Sequence, residues 1–234
     1  MTVPPDGNAV VTRPRASRAV VLAWAATVGC LAVVALLGIG VRTDFGPQLR
    51  LDAVVSTALY AGDGRAPALN WLLEVLTSPG SSVERFVVFL PVVVLLVRRR
   101  AWWTLGWVLT AIVGIGPLTT LCKDFFGRVR PTFTEGGARL ESLSFPSGHA
   151  SGIATLVTVA LLLAWPLLSV RARRWALAAA VALVLLVGLT RMWLGVHFLS
   201  DVLGGWALGV GWTLLTAILF GALPGGRADP RSRT

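Results

Sequence analysis

Six apolar runs constrain this chain more than any other feature: residues 19–41, 81–97, 101–122, 149–168, 175–190 and 198–222. A helix that crosses a bilayer needs about 20 predominantly apolar residues, and the first run supplies that length without one charged side chain. Over the whole sequence 55% of residues are hydrophobic and 14% are charged, with a mean hydropathy of +0.75. A water-soluble domain of 234 residues would need far more charge on its surface. In hydrocarbon, backbone N–H and C=O groups must be satisfied within the segment, so apolar runs of this length predict helices. The fold class expected is all-α: a polytopic membrane protein with six transmembrane helices.

The remaining segments divide the chain simply. Residues 1–18 are polar and end in Arg13, Arg15 and Arg18, which predicts a disordered tail. That basic flank has the form of a secretion signal. The apolar run behind it continues unbroken through Val41, which predicts a retained span. Residues 19–222 form one membrane-embedded domain, and 223–234 form a second short tail. Leu49–Leu59 and Ala66–Leu76 read as short amphipathic helices lying near the surface or packed on the bundle. Trp71, Trp102, Trp103, Trp165, Trp175 and Trp193 stand near the ends of apolar segments, where an interfacial aromatic belt belongs. Gly205 and Gly209 offer a close helix-packing face, expected to serve packing within one bundle; the assembly expected is a monomer or weak homodimer.

The net charge of +10 does not indicate nucleic acid, because the basic residues are dispersed. Twelve arginines, in groups such as Arg98-Arg99-Arg100, Arg171 with Arg173 and Arg174, and Arg227 with Arg231 and Arg233, fall on one side of a six-span layout against Asp6 and Asp229. On the other side nine basic residues balance nine acidic ones. By the positive-inside rule both termini are cytoplasmic. Cys30 and Cys122 both lie in apolar segments with no CxxC spacing, so neither a disulfide framework nor a zinc site is expected.

The basic residues on the balanced side are spaced singly and accompany the only two histidines. Lys123-Asp-Phe-Phe-Gly-Arg128-Val-Arg130-Pro131 follows the third run, and Lys123 and Arg130 can both approach an anion if the backbone curves between them. An interfacial basic patch touching lipid headgroups is the alternative. Pro146-Ser147-Gly148-His149 precedes the fourth run. Ser147 can cap the helix, its hydroxyl and neighbouring N–H groups can face a phosphate, and Gly148 allows close approach. A plain turn and cap is the alternative. His197 and Asp201, four apart at the start of the sixth run, would share a helix face, so that Asp201 holds one ring nitrogen and frees the other to attack. The alternative is a pair that merely starts a helix. Together with Arg191, these segments make a pocket of three cations, one helix N-terminus and two histidines. That set suits a phosphoryl group. There is no carboxylate cluster for magnesium, so no metal and no cofactor are expected.

The pattern Lys123-x6-Arg130-Pro131, Pro146-Ser147-Gly148-His149, Thr190-Arg191-x5-His197-x3-Asp201 resembles the three signature motifs of the type 2 phosphatidic acid phosphatase family. The family usually has Ser where this chain has Thr190, and the hydroxyl is kept. The resemblance implies that His197 is the nucleophile and forms a phosphohistidine, with Asp201 orienting it. It implies that His149 protonates the leaving group and then serves as base for water. Lys123, Arg130, Arg191, Ser147 and Gly148 would hold the phosphoryl oxygens. The soluble vanadate-dependent haloperoxidases are relatives, but six spans argue against that activity. The substrate implied is a lipid phosphate or a polyprenyl pyrophosphate: phosphatidic acid, phosphatidylglycerol phosphate or undecaprenyl pyrophosphate, met on the extracytoplasmic side. The competing reading is an anionic-lipid transporter or flippase without hydrolysis, which an internal repeat with interrupted spans would favour; none is visible.

Overall fold

The computed structural model describes residues 18–62, 64–133, 142–224 and 226–228. Among these residues eight α-helices follow one another: α1 (Arg18–Arg42), α2 (Gly46–Leu59), α3 (Pro67–Thr77), α4 (Ser82–Arg98), α5 (Trp102–Phe126), α6 (Gly148–Ala164), α7 (Val170–Trp193) and α8 (Leu199–Phe220). The all-α membrane fold expected from the apolar runs is what the chain forms. The helices α1, α5, α7 and α8, and α6 together with the short turn Trp165–Leu167 that extends it, are each long and apolar enough to cross a bilayer. A sixth candidate crossing is the bent pair formed by α3, with the short turn Ser78-Pro79-Gly80 at its end, and the 17-residue α4, which meet across a 49° bend at Ser81. Proline at the second position of that turn stops the α3 ladder, and Ser81 caps α4 by accepting from Glu84 N–H.

Helix α8 is central and packs against α1, α5 and α6. Lipid offers no hydrophobic drive for helices to associate, so close packing has to come from small residues. A Cβ at Gly205 would lie 2.6 Å from Ser147 O, and one at Gly209 would lie 2.4 Å from Ser151 O, so α8 meets α6 backbone to backbone. A Cβ at Gly211 would lie 3.0 Å from Cys30 Cβ on α1. The glycine face is thus used within the bundle. Trp107, Val108, Ala111 and Ile112 of α5 interdigitate with Ile153 and Val159 of α6, Val187 of α7 and Ala217 of α8 in the largest buried cluster. Leu36, Val87, Leu121 and Leu219 point outward, as a lipid-facing surface requires. The terminal tryptophans are exposed too, apart from Trp193, which packs against the cluster of Leu73, Leu194 and Val196.

Three boundaries differ from expectation, each for a local reason. Helix α5 runs one turn past residue 122 and ends at Gly127, whose φ of +68° forms a left-handed cap with its N–H on Lys123 O at 2.9 Å. Lys123 therefore sits on the last helical turn, not beyond it. Helix α7 begins at Val170, capped by Ser169, so Arg171, Arg173 and Arg174 occupy its first turn. At its other end it extends through Arg191 to Trp193. Finally, His197 lies outside α8: Phe198 is the N-cap, and Asp201 is the third residue of the helix.

Candidate active site

One end of the bundle collects the C-terminal ends of α5 and α7 and the N-terminal ends of α6 and α8. The sequence dictates that convergence. Gly127 turns the chain back so that Arg128 and Arg130 return over the helix ends. Gly195, with φ +70° and a side-chain-free Cα packed against the Tyr60 ring, makes the tight turn that delivers His197. Ser147 caps α6, accepting from Ala150 N–H at 3.4 Å, and its own N–H donates to Asp201 O at 2.9 Å. That last bond ties the second motif to the third.

His197 is 2% exposed and Asp201 is fully buried. Nδ1 of His197 donates to Asp201 Oδ2 at 3.3 Å, while Arg130 Nη1 donates to His197 Nε2 at 3.2 Å. An arginine has only donors, so Nε2 is the acceptor and the ring proton sits on Nδ1. The nitrogen carrying the lone pair therefore faces the cations. Burial holds this imidazole far below its ordinary value, at about 3, against the pull of Asp201; the charges of Arg130 and Arg191 push the same way as burial. His197 is accordingly neutral, the form that can attack.

Asp201 is held at both carboxylate oxygens. Oδ2 accepts from His197, from the Ser144 hydroxyl and from Phe198 N–H at 2.9 Å, and Oδ1 accepts from Arg128 Nη1 at 2.7 Å. The contact of His197 with Asp201 is made by an end-capping carboxylate and not along one helix face.

Lys123, Arg130 and Arg191 lie close enough for their charges to act on one another, and Lys123 and Arg130 also feel Asp201. Arg130 also donates to Ser142 O and Val196 O, each at 2.7 Å. Lys123 reaches Leu143 O. Arg191 is the least committed of the three: it is 7% exposed, its one hydrogen bond is to Thr77 Oγ1 at 3.4 Å, and its Nε has no partner among the described residues. His149, on the first turn of α6, lies within electrostatic reach of Arg191, His197, Arg85 and Arg130. A Cβ at Gly148 would meet nothing nearer than Thr119 Cγ2 at 4.0 Å, so protein packing does not demand glycine there. The space is open to a ligand.

Every residue singled out from the sequence thus comes to this end of the bundle. Five further contributors escaped that reading. Asp52 on α2, Arg128, Ser144 and Ser200 complete the network behind Asp201. Arg85, 3% exposed, lies against Gly152 one turn below His149 and donates to Gly80 O at 3.2 Å. A carboxylate or guanidinium in a stretch that must be buried signals a partner, though not which one.

A six-span bundle with cations, a capped helix N-terminus and a histidine–carboxylate pair gathered at one end defines a membrane phosphatase of the phosphate-ester class. The chain belongs to the PAP2 superfamily, which its residues 101–223 match. It is 34% identical over 155 residues to phosphatidylglycerophosphatase B of Bacillus subtilis, covering 62% of this chain and 72% of that protein. To a lipid A 1-phosphatase of Rhizobium johnstonii it is 28% identical over 200 residues, covering 73% of this chain and 78% of the relative. Its fold matches the crystal structure of a transmembrane PAP2 type phosphatidylglycerolphosphate phosphatase from Bacillus subtilis with a TM-score of 0.68 and 27% identity, over 85% of this chain and 98% of that one. The chain is a multi-pass membrane protein and a lipid phosphatase, a phosphoric ester hydrolase.

Proposed function

We propose that this chain removes a terminal phosphate from a membrane lipid through a phosphohistidine on His197, with phosphatidylglycerol phosphate the first candidate substrate. One observation carries the mechanism: Asp201 takes Nδ1 and leaves Nε2 with its lone pair turned toward Arg130. Lys123, Arg130 and Arg191 neutralise the phosphoryl oxygens, and the Ser147–Gly148 end of α6 adds first-turn N–H groups that have no intrahelical acceptor. His149 protonates the departing lipid oxygen and later draws the proton from water. All three motifs come from one chain, so a monomer is sufficient. The substrate preference rests on the named activities of the similar proteins, and phosphatidic acid and undecaprenyl pyrophosphate are its competitors.

The test is phosphate release in detergent over a panel of these lipids, with EDTA present. Release from phosphatidylglycerol phosphate, undiminished by EDTA and inhibited by vanadate, is the expected result. Translocation of an anionic lipid in liposomes with no phosphate released from any substrate would make the chain a carrier instead.

The site lies at the end of the bundle opposite the Arg98–Arg100 and Arg171–Arg174 groups, so we also propose that it faces the extracytoplasmic side, with both termini cytoplasmic. In a background lacking Cys30 and Cys122, a cysteine at Val129, which is 73% exposed, should label in intact cells with an impermeant thiol reagent. One at Arg173 should not. Labelling of 173 alone reverses the orientation.

A further inference from the structure

We infer that Asp52 and Arg128 are positioning residues for the phosphoryl transfer: Arg128 fixes the Asp201 carboxylate under His197, and Asp52 cancels the Arg128 charge so that Asp201 keeps its own for the histidine. The inference rests on the phosphohistidine reading above.

The geometry is a closed chain of ion pairs. Arg128 reaches Asp201 Oδ1 at 2.7 Å with Nη1 and Asp52 Oδ2 at 2.6 Å with Nη2. Arg128 Nη1 also donates to Ser200 Oγ at 2.7 Å, and Ser200 returns two bonds to Asp52, from its N–H at 2.9 Å and from its hydroxyl at 2.6 Å. The guanidinium lies 4.0 Å above the Phe198 ring. Arg128 is 8% exposed, Asp52 2% and Asp201 0%, so no water relieves a mismatch of charge here. Both terminal nitrogens of Arg128 are spent on carboxylates and Ser200. Arg128 is thus turned toward Asp52, Asp201 and Ser200, whereas Arg191 bonds only Thr77 among the described residues.

The charges decide the consequence. In the transfer, His197 Nε2 forms a bond to phosphorus, the bond from phosphorus to the lipid oxygen breaks, and that oxygen takes a proton from His149. The ring then carries hydrogen on Nδ1 and phosphorus on Nε2, and with them a positive charge facing Asp201. Arg128 competes for the same carboxylate. With Asp52 present the triplet Asp52–Arg128–Asp201 sums to one negative charge, available to the ring. Without Asp52 it sums to zero, and the attraction that should stabilise the phosphohistidine is drawn toward Arg128. In a buried, low-dielectric setting that competition is strong. Because Asp52 also accepts from the α8 N-terminus, a merely structural role is the rival account, and the two differ in what they slow.

The experiment measures phosphoenzyme formation by acid quench in single turnover, on the purified full chain, for wild type, Asp52→Asn, Arg128→Gln and the double variant, with thermal unfolding of each. Asp52→Asn should slow formation by roughly 10–100-fold, the usual cost of losing an outer-shell partner, with little change in KM. In the Arg128→Gln background the same change should add no more than the roughly twofold scatter of independent sites. Asp52→Glu, which keeps the charge, should recover part of the rate. The inference is overturned if Asp52→Asn forms phosphoenzyme at the wild-type rate per folded molecule, or if the two single losses multiply in the double variant. If wild type itself traps no phosphate, the phosphohistidine reading fails. If wild type traps it and Asp52→Asn traps it equally fast, only the present inference fails.

Discussion

The His197→Ala protein is expected to trap no phosphate at all when labelled substrate is quenched in acid, and to lose on the order of 10⁶-fold in kcat, the scale set by removing a nucleophile from a covalent mechanism. The size of the effect follows from how the ring is held. Its Nδ1 is committed to Asp201 and its Nε2 is the one open nitrogen, 3.2 Å from the Arg130 guanidinium that also neutralises the incoming phosphate. No neighbouring group can inherit the role. His149 is the only other histidine, and no carboxylate pairs with it among the described residues. A labelled phosphoenzyme in His197→Ala would refute the assignment. The same burial makes a statement about pH. With its value held at about 3, His197 stays unprotonated through the mildly acidic range, so a fall in wild-type activity there does not come from titration of the free nucleophile. Protonation of the bound phosphate is left to set the acid limb.

Much of this site was readable because each motif is anchored to the end of a transmembrane helix, and the helix ends follow from hydropathy. Lys123, His149 and Arg191 could be placed at one membrane boundary before any coordinates. The bend that forms the wall beside His149 was not readable. Residues 67–77 and 82–98 each have their own apolar pattern, and only packing shows that Gly80 and Gly152 bring the break against α6, where a Cβ on Gly80 would sit 2.6 Å from His149 O. The network behind Asp201 escaped for a different reason. Arg128 and its partner Asp52 are 76 residues apart, and no spacing rule spans that distance. Asp52 did carry a local sign: it puts a carboxylate on the buried face of α2, a placement tolerated only when something distant satisfies it. The His197–Asp201 pair was found by the right spacing for a partly wrong reason. Four residues suggest one helical face, whereas the contact is made where Asp201 reaches back over the start of α8 to the Phe198 N–H and the ring before it.

His149→Ala should fail in another manner, and the difference tells the two histidines apart. His149 stands on the first turn of α6 with no hydrogen bond to its ring among the described residues, and with Arg191, Arg85 and Arg130 around it. A proton on such a ring needs negative charge nearby, and a bound phosphate supplies it. The group is thus equipped to act only when substrate is present, and its service is to the leaving oxygen. General acid help of this kind is worth roughly 10²–10⁴-fold. A lipid alkoxide is a poor leaving group and needs the proton, so hydrolysis of the lipid substrate should fall by that factor. An activated aryl phosphate departs as a stable phenolate and needs none, so its phosphoenzyme should form at close to the wild-type rate. The measurement is the rate of phosphoenzyme formation against leaving-group pKa for wild type and variant. A steeper dependence in His149→Ala is the expected outcome, with the two lines converging at the most acidic leaving group. An equal loss on every leaving group would mean that His149 holds the phosphoryl oxygens and does not transfer a proton.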